Sequence, residues 1–188
     1  LARGTETVVG QNLGADQIDR AKRAVLASGG IVAAVLAGIS VGAYVFAEPI
    51  VDVFITGEGS AAVVAVGADY LRIIGPTFAF LGVFRVVQGG FRGSGSTRLA
   101  MAFSVISLFV FRVPVAYGLI EWFGFGASGA WYAIAISNVV ILVAAGAWFL
   151  RGTWTEKVVD TGSESPGLGR GLPESGSPLE EDASGIDD

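Results

Sequence analysis

Cysteine and histidine are both absent from the 188-residue sequence. Their absence excludes disulfides, thiolate nucleophiles, histidine bases and the common zinc sites built from these two residues. A membrane enzyme would still need acids or a nucleophile grouped near an interface, and the sequence shows no such group. We therefore predict no catalytic residue, no metal site and no enzymatic activity.

Charge is scarce as well. Charged residues make up 15% of the sequence and hydrophobic residues 52%, with a mean hydropathy of +0.63. Soluble domains carry about 25% charged residues, so this chain has too little polar surface to cover a water-soluble globule. Because the apolar surplus must face lipid, the composition predicts an integral membrane protein.

The remaining charge is unevenly placed. Residues 1–155 hold ten basic and eight acidic side chains, whereas residues 156–188 hold two and nine. The net charge of −5 therefore belongs to the final segment, which is also rich in glycine, serine and proline. Such a segment cannot bury enough apolar surface to offset its chain entropy. We predict a membrane domain over residues 1–155 and a disordered acidic tail over residues 156–188.

Long apolar runs with few or no charged residues predict the membrane spans, since each span needs about 20 apolar residues. Glu48-Pro49 ends the first run because proline cannot continue a helix. Residues 1–13 are weakly apolar and too short to cross a bilayer, so we interpret them as the end of an earlier helix. The predicted helical spans cover about residues 24–47, 61–91, 99–120 and 127–150.

Local signals around these spans predict contacts and caps. Gly38 and Gly42 are four residues apart, a spacing that lets two membrane helices approach closely. Asp16 follows the helix-breaking Gly14, and its carboxylate can cap the first span. Ser60 is predicted to cap the second span in the same way.

Small and basic residues gather in the segment QGGFRGSGSTR, residues 88–98. Its glycine spacing nearly matches a phosphate-binding loop, but the lysine that such a loop uses is missing. The segment is also flanked by membrane-length apolar runs. We therefore predict a tight turn between two spans rather than a nucleotide-binding loop. We also expect no nucleic-acid partner.

Basic residues occur on alternate sides of the predicted spans. The two connectors at residues 48–60 and 121–126 contain none. Because basic residues mark cytoplasmic segments, we predict that the glycine-rich loop at residues 92–98 and the tail are cytoplasmic. The basic residues that set this orientation are Arg20, Lys22, Arg23, Arg92, Arg98, Arg151 and Lys157.

Four residues of the second and third spans are predicted to have structural or gating roles. Asp69 and Arg72 are three residues apart, which places them on one helix face as a pair. Pro76, after Gly75, should kink the second span. Pro114 removes an N–H and frees the carbonyl of Val110 one turn upstream.

Four polar residues within the spans are candidates for a substrate cavity. Arg85 and Gln88 share a helix face in the second span, Arg112 lies near the middle of the third and Asn138 near the middle of the fourth. A charge inside a span faces protein or water rather than lipid. Arg112 either ties neighbouring helices together or serves a transport cavity, and we expect it to bind backbone carbonyls or a cavity water.

Five segments occur in a fixed order along the chain: VGQNLGADQIDRAKRA, DYLRIIGP, QGGFRGSGSTR, RVPVAYGLI and GASGAWYAIAISN. This ordered set resembles the C-terminal half of a MATE (multidrug and toxic compound extrusion) family transporter. The resemblance covers about residues 4–150 and implies part of a twelve-helix, all-α fold. In that fold two six-helix lobes enclose a cavity, and this chain would supply four complete spans and the end of a preceding helix.

The resemblance also implies a function. Such transporters sit in the plasma membrane and export organic, often cationic, compounds in exchange for Na⁺ or H⁺. The expected partners are the lipid bilayer, small organic substrates and the N-terminal lobe of the same transporter, with no cofactor. The alternatives are a lipid-linked saccharide flippase of the same superfamily and a non-transporting membrane scaffold.

The branch within the family is indicated by a missing carboxylate. NorM-like members place an acidic cation ligand in the middle of the helix that corresponds to the second span, and residues 80–84 contain none. This absence favours the DinF-like branch, whose coupling aspartate lies on the first helix of the transporter. The coupling-ion site would then belong to the N-terminal lobe, outside this chain.

Overall fold

Helices and short connections make up the part of the chain that the structure, a computed structural model, describes: residues 2–55, 57 and 59–155. The predicted tail at residues 156–188 lies outside the described residues. Two 3₁₀ turns (Gly75–Thr77 and Thr153–Thr155) and one π-helical segment (Ile106–Arg112) accompany the α-helices. The α-helices are α1 (Ala2–Gly14), α2 (Ile18–Val45), α3 (Ala47–Asp52), α4 (Ser60–Ile74), α5 (Phe78–Gly93), α6 (Thr97–Val105), α7 (Val113–Glu121) and α8 (Ala127–Arg151).

Four helical stretches are long and apolar enough to cross a membrane, which confirms the predicted fold class. Along their surfaces many large apolar side chains are exposed, as expected for helices that face lipid. The first stretch begins earlier than predicted because the charged residues before the apolar run also adopt helix. The four stretches are Ile18–Val45, Ser60–Gly93, Thr97–Glu121 and Ala127–Arg151.

The first stretch ends upstream of the proline that was predicted to stop it. The break falls at Phe46, and Pro49 lies in the first turn of α3. The first N–H groups of a helix have no partner within it, so proline is tolerated at that position.

The predicted helix caps at Asp16 and Ser60 are also wrong. Asp16 takes a left-handed φ of 54°, and Gln17 precedes α2 without a side-chain capping bond, while Ser60 is the first residue of α4 and makes no capping bond.

Both prolines inside the spans coincide with altered helix geometry. Pro76 lies in the 3₁₀ turn between α4 and α5, where the N–H of Phe78 bonds to the carbonyl of Gly75. Pro114 is the second residue of α7, which directly follows the π-helical segment. The N–H of Val113, the first residue of α7, bonds to the carbonyl of Leu108. Because proline lacks an N–H, the regular ladder cannot run through either site.

The glycine-rich connector is shorter than predicted. Helix α5 continues to Gly93, so only Ser94, Gly95 and Ser96 form the turn into α6. Gly95 has φ +76°, and the N–H of Ser96 closes the turn on the carbonyl of Phe91 at 2.8 Å. A residue with a side chain would be strained at that φ. Residues 88–91, predicted within the second span, are helical, and residues 92 and 93 of the predicted loop belong to the same packed helix.

Close packing of α5 on α1 explains why that segment is helical. A Cβ at Gly89 would lie 2.6 Å from the carbonyl oxygen of Ala2, and one at Gly93 would lie 2.9 Å from Cβ of Val9. These two glycines, four residues apart, let the two helix backbones approach closely. The close approach predicted for Gly38 and Gly42 does not occur within the described residues, where a Cβ at either would meet nothing within 4 Å.

An aromatic cluster closes the same end of the bundle. Phe91 stacks on Phe103 with ring centroids 5.8 Å apart, and Phe149 stacks on Trp154 at 4.9 Å. The indole N–H of Trp154 donates to the carbonyl of Phe149 at 2.9 Å. The short segment after α8 is therefore fixed against the bundle by a buried tryptophan with its polar group satisfied.

Candidate functional site

Charged residues of the described chain collect at the two ends of the bundle. We call the end with Glu48, Asp69 and Glu121 the acidic end, because most of its charges are carboxylates. The opposite end carries Arg92, Arg98 and Arg151 and is called the basic end. Arg92 there lies 3.3 Å from Glu6 of α1.

The acidic end contains one ion-pair group centred on Arg72. Its guanidinium lies 2.9 Å from a carboxylate oxygen of Glu48 and 3.5 Å from one of Asp69. The Asp69 pair was predicted from its spacing. Glu48 was missed, because it is 24 residues away and belongs to α3. A pocket of about 710 Å³ beside this group includes Asp69, Arg72, Trp131 and Tyr132 in its lining.

A second polar group lies inside the bundle and is centred on Arg112. Its Nε donates to Oγ of Ser137 and one terminal nitrogen donates to Oδ1 of Asn138, both at 3.2 Å. The amide of Asn138 donates onward to Oγ1 of Thr77 at 3.2 Å, and Thr77 donates to the carbonyl of Ile74 at 2.7 Å. These bonds connect three of the four spans at one depth.

The acceptors of Arg112 differ from those predicted. Backbone carbonyls or a cavity water were expected, and among the described residues the acceptors are a hydroxyl and a side-chain amide. Ser137, Asn138 and Thr77 are buried, so their polar groups need partners within the protein. Ser137 and Thr77 were missed by the sequence analysis. Their only signal was position, since Ser137 adjoins Asn138 and Thr77 follows Pro76.

Gln88 links α5 to α6 at a position nearer the basic end than the Arg112 group. Its side chain is 1% exposed, and its amide nitrogen donates to Oγ of Ser104 at 2.6 Å and to the carbonyl of Ala100 at 3.2 Å. The Ser104 hydroxyl in turn donates to the Ala100 carbonyl at 3.0 Å. The amide oxygen of Gln88 is buried and meets no donor among the described residues.

An interior pocket of about 220 Å³ brings the predicted cavity residues together. Arg85, Arg112 and Asn138 line it directly, and Gln88 lies behind the lining residue Ser104. Arg85 is exposed and forms no hydrogen bond or ion pair with any described residue. The lining consists of Leu81, Phe84, Arg85, Ser104, Ser107, Leu108, Arg112, Asn138 and Ile141.

Carboxylates are absent from the lining of this interior pocket. Nor does the described part of the chain contain a group of three acidic residues placed to hold a metal ion. The pocket therefore presents hydrogen-bond donors, hydroxyls, an amide and two positive charges. Chemically it can bind and orient a polar group, and its arginines repel a cation.

Comparison with known proteins identifies the family. A family model described as MatE matches residues 1–118, more than half of the chain. Two curated relatives carry the name "Probable multidrug resistance protein NorM". The one from Thermotoga maritima is 27% identical over 67% of this chain and 26% of its own length. The one from Bradyrhizobium diazoefficiens is 36% identical over 44% of this chain and 18% of its own length.

A solved structure shares the fold. It is an inward-facing multidrug resistance MATE family transporter of the MOP superfamily, 20% identical with a TM-score of 0.76. The alignment covers 85% of this chain and 36% of that transporter. The chain thus spans about a quarter of the Thermotoga maritima relative and about a third of the solved transporter. With the family model, the shared fold and the four apolar helices in agreement, this multi-pass membrane chain belongs to the MatE family.

Proposed function

We propose that this chain forms part of a secondary active multidrug efflux transporter of the plasma membrane. The interior pocket carries the proposal, since it places Arg85, Arg112 and Asn138 together within a bundle whose spans are mainly apolar. Ionisable residues inside a membrane are costly and mark substrate or ion pathways. The names of the two NorM relatives support export of drug-like compounds as the activity.

The transporter would exchange organic compounds for Na⁺ or H⁺. A cation-coupling site normally needs an acidic residue, and the interior pocket has none. We therefore place the coupling site in an N-terminal lobe that packs on this chain, as in the DinF-like branch. The family resemblance implies compounds that are often cationic. Arg85 and Arg112 of the pocket would repel the cationic group of such a compound.

The four residues predicted to have structural or gating roles would hold the pocket in shape. Arg72 fastens α3 to α4 through Glu48, and its bond to Asp69 lies within α4. Pro76 forms the 3₁₀ turn that carries Thr77 toward Asn138. Pro114 follows the π-helical segment that ends with Arg112.

The proposed orientation places the basic end and the tail in the cytoplasm. Single cysteines test it, but Ser94 in the turn is buried and unsuitable. Exposed Thr97 and Glu121 serve instead, at the basic and acidic ends. In intact cells an impermeant thiol reagent should label Glu121→Cys and not Thr97→Cys. The reverse labelling pattern would overturn the orientation.

The efflux activity is tested by expressing the intact protein in an efflux-deficient bacterial strain. Cells preloaded with a panel of fluorescent drugs should lose at least one of them faster than vector controls. Collapse of either the Na⁺ or the H⁺ gradient should stop that loss. A protein that exports no compound but moves a lipid-linked saccharide across vesicles would be a flippase, and one that moves neither would be a scaffold.

A further inference from the structure

Most neutral polar groups around the interior pocket already form hydrogen bonds, the exceptions being Ser107 and the buried amide oxygen of Gln88. Ser137 accepts from Arg112 and donates to the carbonyl of Ile134 at 2.9 Å. Asn138 accepts from Arg112 and donates to Thr77. Ser104 accepts from Gln88 and donates to a backbone carbonyl. Ser107 is the remaining hydroxyl of the lining, and it can donate or accept.

The uncommitted groups of the pocket are mainly cationic donors. Arg112 uses Nε and one terminal nitrogen, and its other terminal nitrogen has no acceptor among the described residues. Arg85 has all of its guanidinium donors free within that same part of the chain. A guanidinium has five N–H donors in a planar fork and no acceptor. The free bonding capacity of the pocket therefore fits a group with several acceptors.

The positive charge of the pocket is not neutralised by any acidic residue that the structure describes. Residues 73–120 contain three arginines besides Arg112 and no acidic residue, and residues 122–150 contain no acid either. Arg85 lies eight residues before the end of α5, or about 12 Å from the basic end. At that depth an unpaired charge costs several kcal/mol in hydrocarbon, so it needs water or an anion.

The volume of the pocket limits how much of a compound can enter it. Pockets for whole drug-sized ligands hold about 300–1,000 Å³, and this one holds about 220 Å³. The lining residues Leu81, Phe84 and Ile141 add apolar surface beside the arginines. The space suits the charged end of an amphipathic organic compound rather than the entire molecule.

We propose that the interior pocket binds an anionic oxygen group, such as a carboxylate, on the transported compound. Arg85 makes the contact, because it is exposed and lacks a partner in the described chain. Arg112 is held by Ser137 and Asn138 and supplies a second, fixed positive charge. This assignment rests on the proposed efflux function and gives it a substrate class, organic anions, in place of the cationic compounds that the family resemblance implies.

Two dyes with the same xanthene ring system and opposite charge provide the test. Fluorescein carries a carboxylate, and rhodamine 6G carries a positive charge and an ester. Binding of each dye to the purified intact protein is measured by fluorescence anisotropy, and export of each is measured in cells. The variants are Arg85→Gln and Arg85→Lys, with Arg151→Gln as a matched control because Arg151 is an exposed arginine outside the pocket.

Fluorescein should bind the unmodified protein, and Arg85→Gln should raise its Kd about 10- to 100-fold, as expected for loss of a hydrogen bond to a charged group. Arg85→Lys should recover part of the affinity, because the charge returns without the planar fork. Arg151→Gln should bind fluorescein as the unmodified protein does. Rhodamine 6G should bind Arg85→Gln no more weakly than it binds the unmodified protein.

Two results would overturn the anion site. In the first, the unmodified protein binds rhodamine 6G and not fluorescein. In the second, Arg85→Gln lowers the unfolding temperature without changing fluorescein binding, which would show that Arg85 pairs with a carboxylate of the protein itself. The two proposals remain separable. If fluorescein binds but is not exported, the result contradicts the efflux function and leaves the anion site standing. If rhodamine 6G is exported and fluorescein does not bind, the result contradicts the anion site and leaves the efflux function standing.

Discussion

Two arginines of this chain each connect helices, and they do so with opposite kinds of partner. At the acidic end Arg72 meets the carboxylates of Glu48 and Asp69, whose side chains are largely exposed. Inside the bundle Arg112 meets the neutral side chains of Ser137 and Asn138, which are buried. Exposed ion pairs contribute little because water screens them. Leaving a buried polar partner without its hydrogen bond costs more free energy. The fold, more than the residue type, decides the importance of each arginine.

The largest effect is expected from Arg112→Ala. The change leaves Oδ1 of Asn138 and Oγ of Ser137 without their donor, which should destabilise the intact protein by about 3 kcal/mol. Arg112→Lys should also be poorly tolerated, because an ammonium lacks the planar fork that reaches two acceptors. Unfolding temperature in detergent and drug export are measured separately for each variant. Normal stability with lost export would move Arg112 from a structural to a functional role, and normal behaviour of both variants would exclude either role.

Two glycines sharpen the comparison, because Gly93 lies against another helix and Gly38 has no close neighbour among the described residues. Gly93→Ala places a Cβ against Val9 and the backbone of Glu6 and should cost about 1–3 kcal/mol of stability. Gly38→Ala meets nothing within 4 Å and should be neutral or slightly stabilising. Thermal unfolding of both variants, prepared in parallel, measures the difference. Equal unfolding temperatures would contradict the close packing of α1 on α5.

The smallest effect is expected from Arg72→Ala. Its carboxylate partners are exposed at the acidic end and can be hydrated when the guanidinium is removed. The unfolding temperature should change little, and the small change should shrink further in high salt because screening weakens exposed pairs. A loss of stability as large as that of Arg112→Ala would break the comparison and show that the acidic-end group is enclosed in the intact protein.

The sequence anticipated the spans better than the contacts between them. Long apolar runs with few charges located the four apolar helices, and the spacing of Asp69 and Arg72 located an ion pair, because both signals are local. Glu48 was missed as the second partner of Arg72, since the contact depends on how α3 packs on α4. Helix α5 continues past residue 91, where the span was predicted to end, to Gly93, because the glycines that suggest a turn there pack against α1. The deciding contact, with α1, lies about 80 residues away in the chain.

The sequence by itself determined that this chain enters a membrane, how many times it can cross and which polar residues lie within the crossings. Those properties depend on the number of consecutive apolar residues, which is a local quantity. Tertiary structure alone decided that Arg112 bonds to Ser137 and Asn138, that Thr77 extends this chain of bonds and that Arg85 faces the same pocket without a partner in the described residues. Such contacts require that separate helices share a depth and a rotation about their axes, and packing between helices sets both.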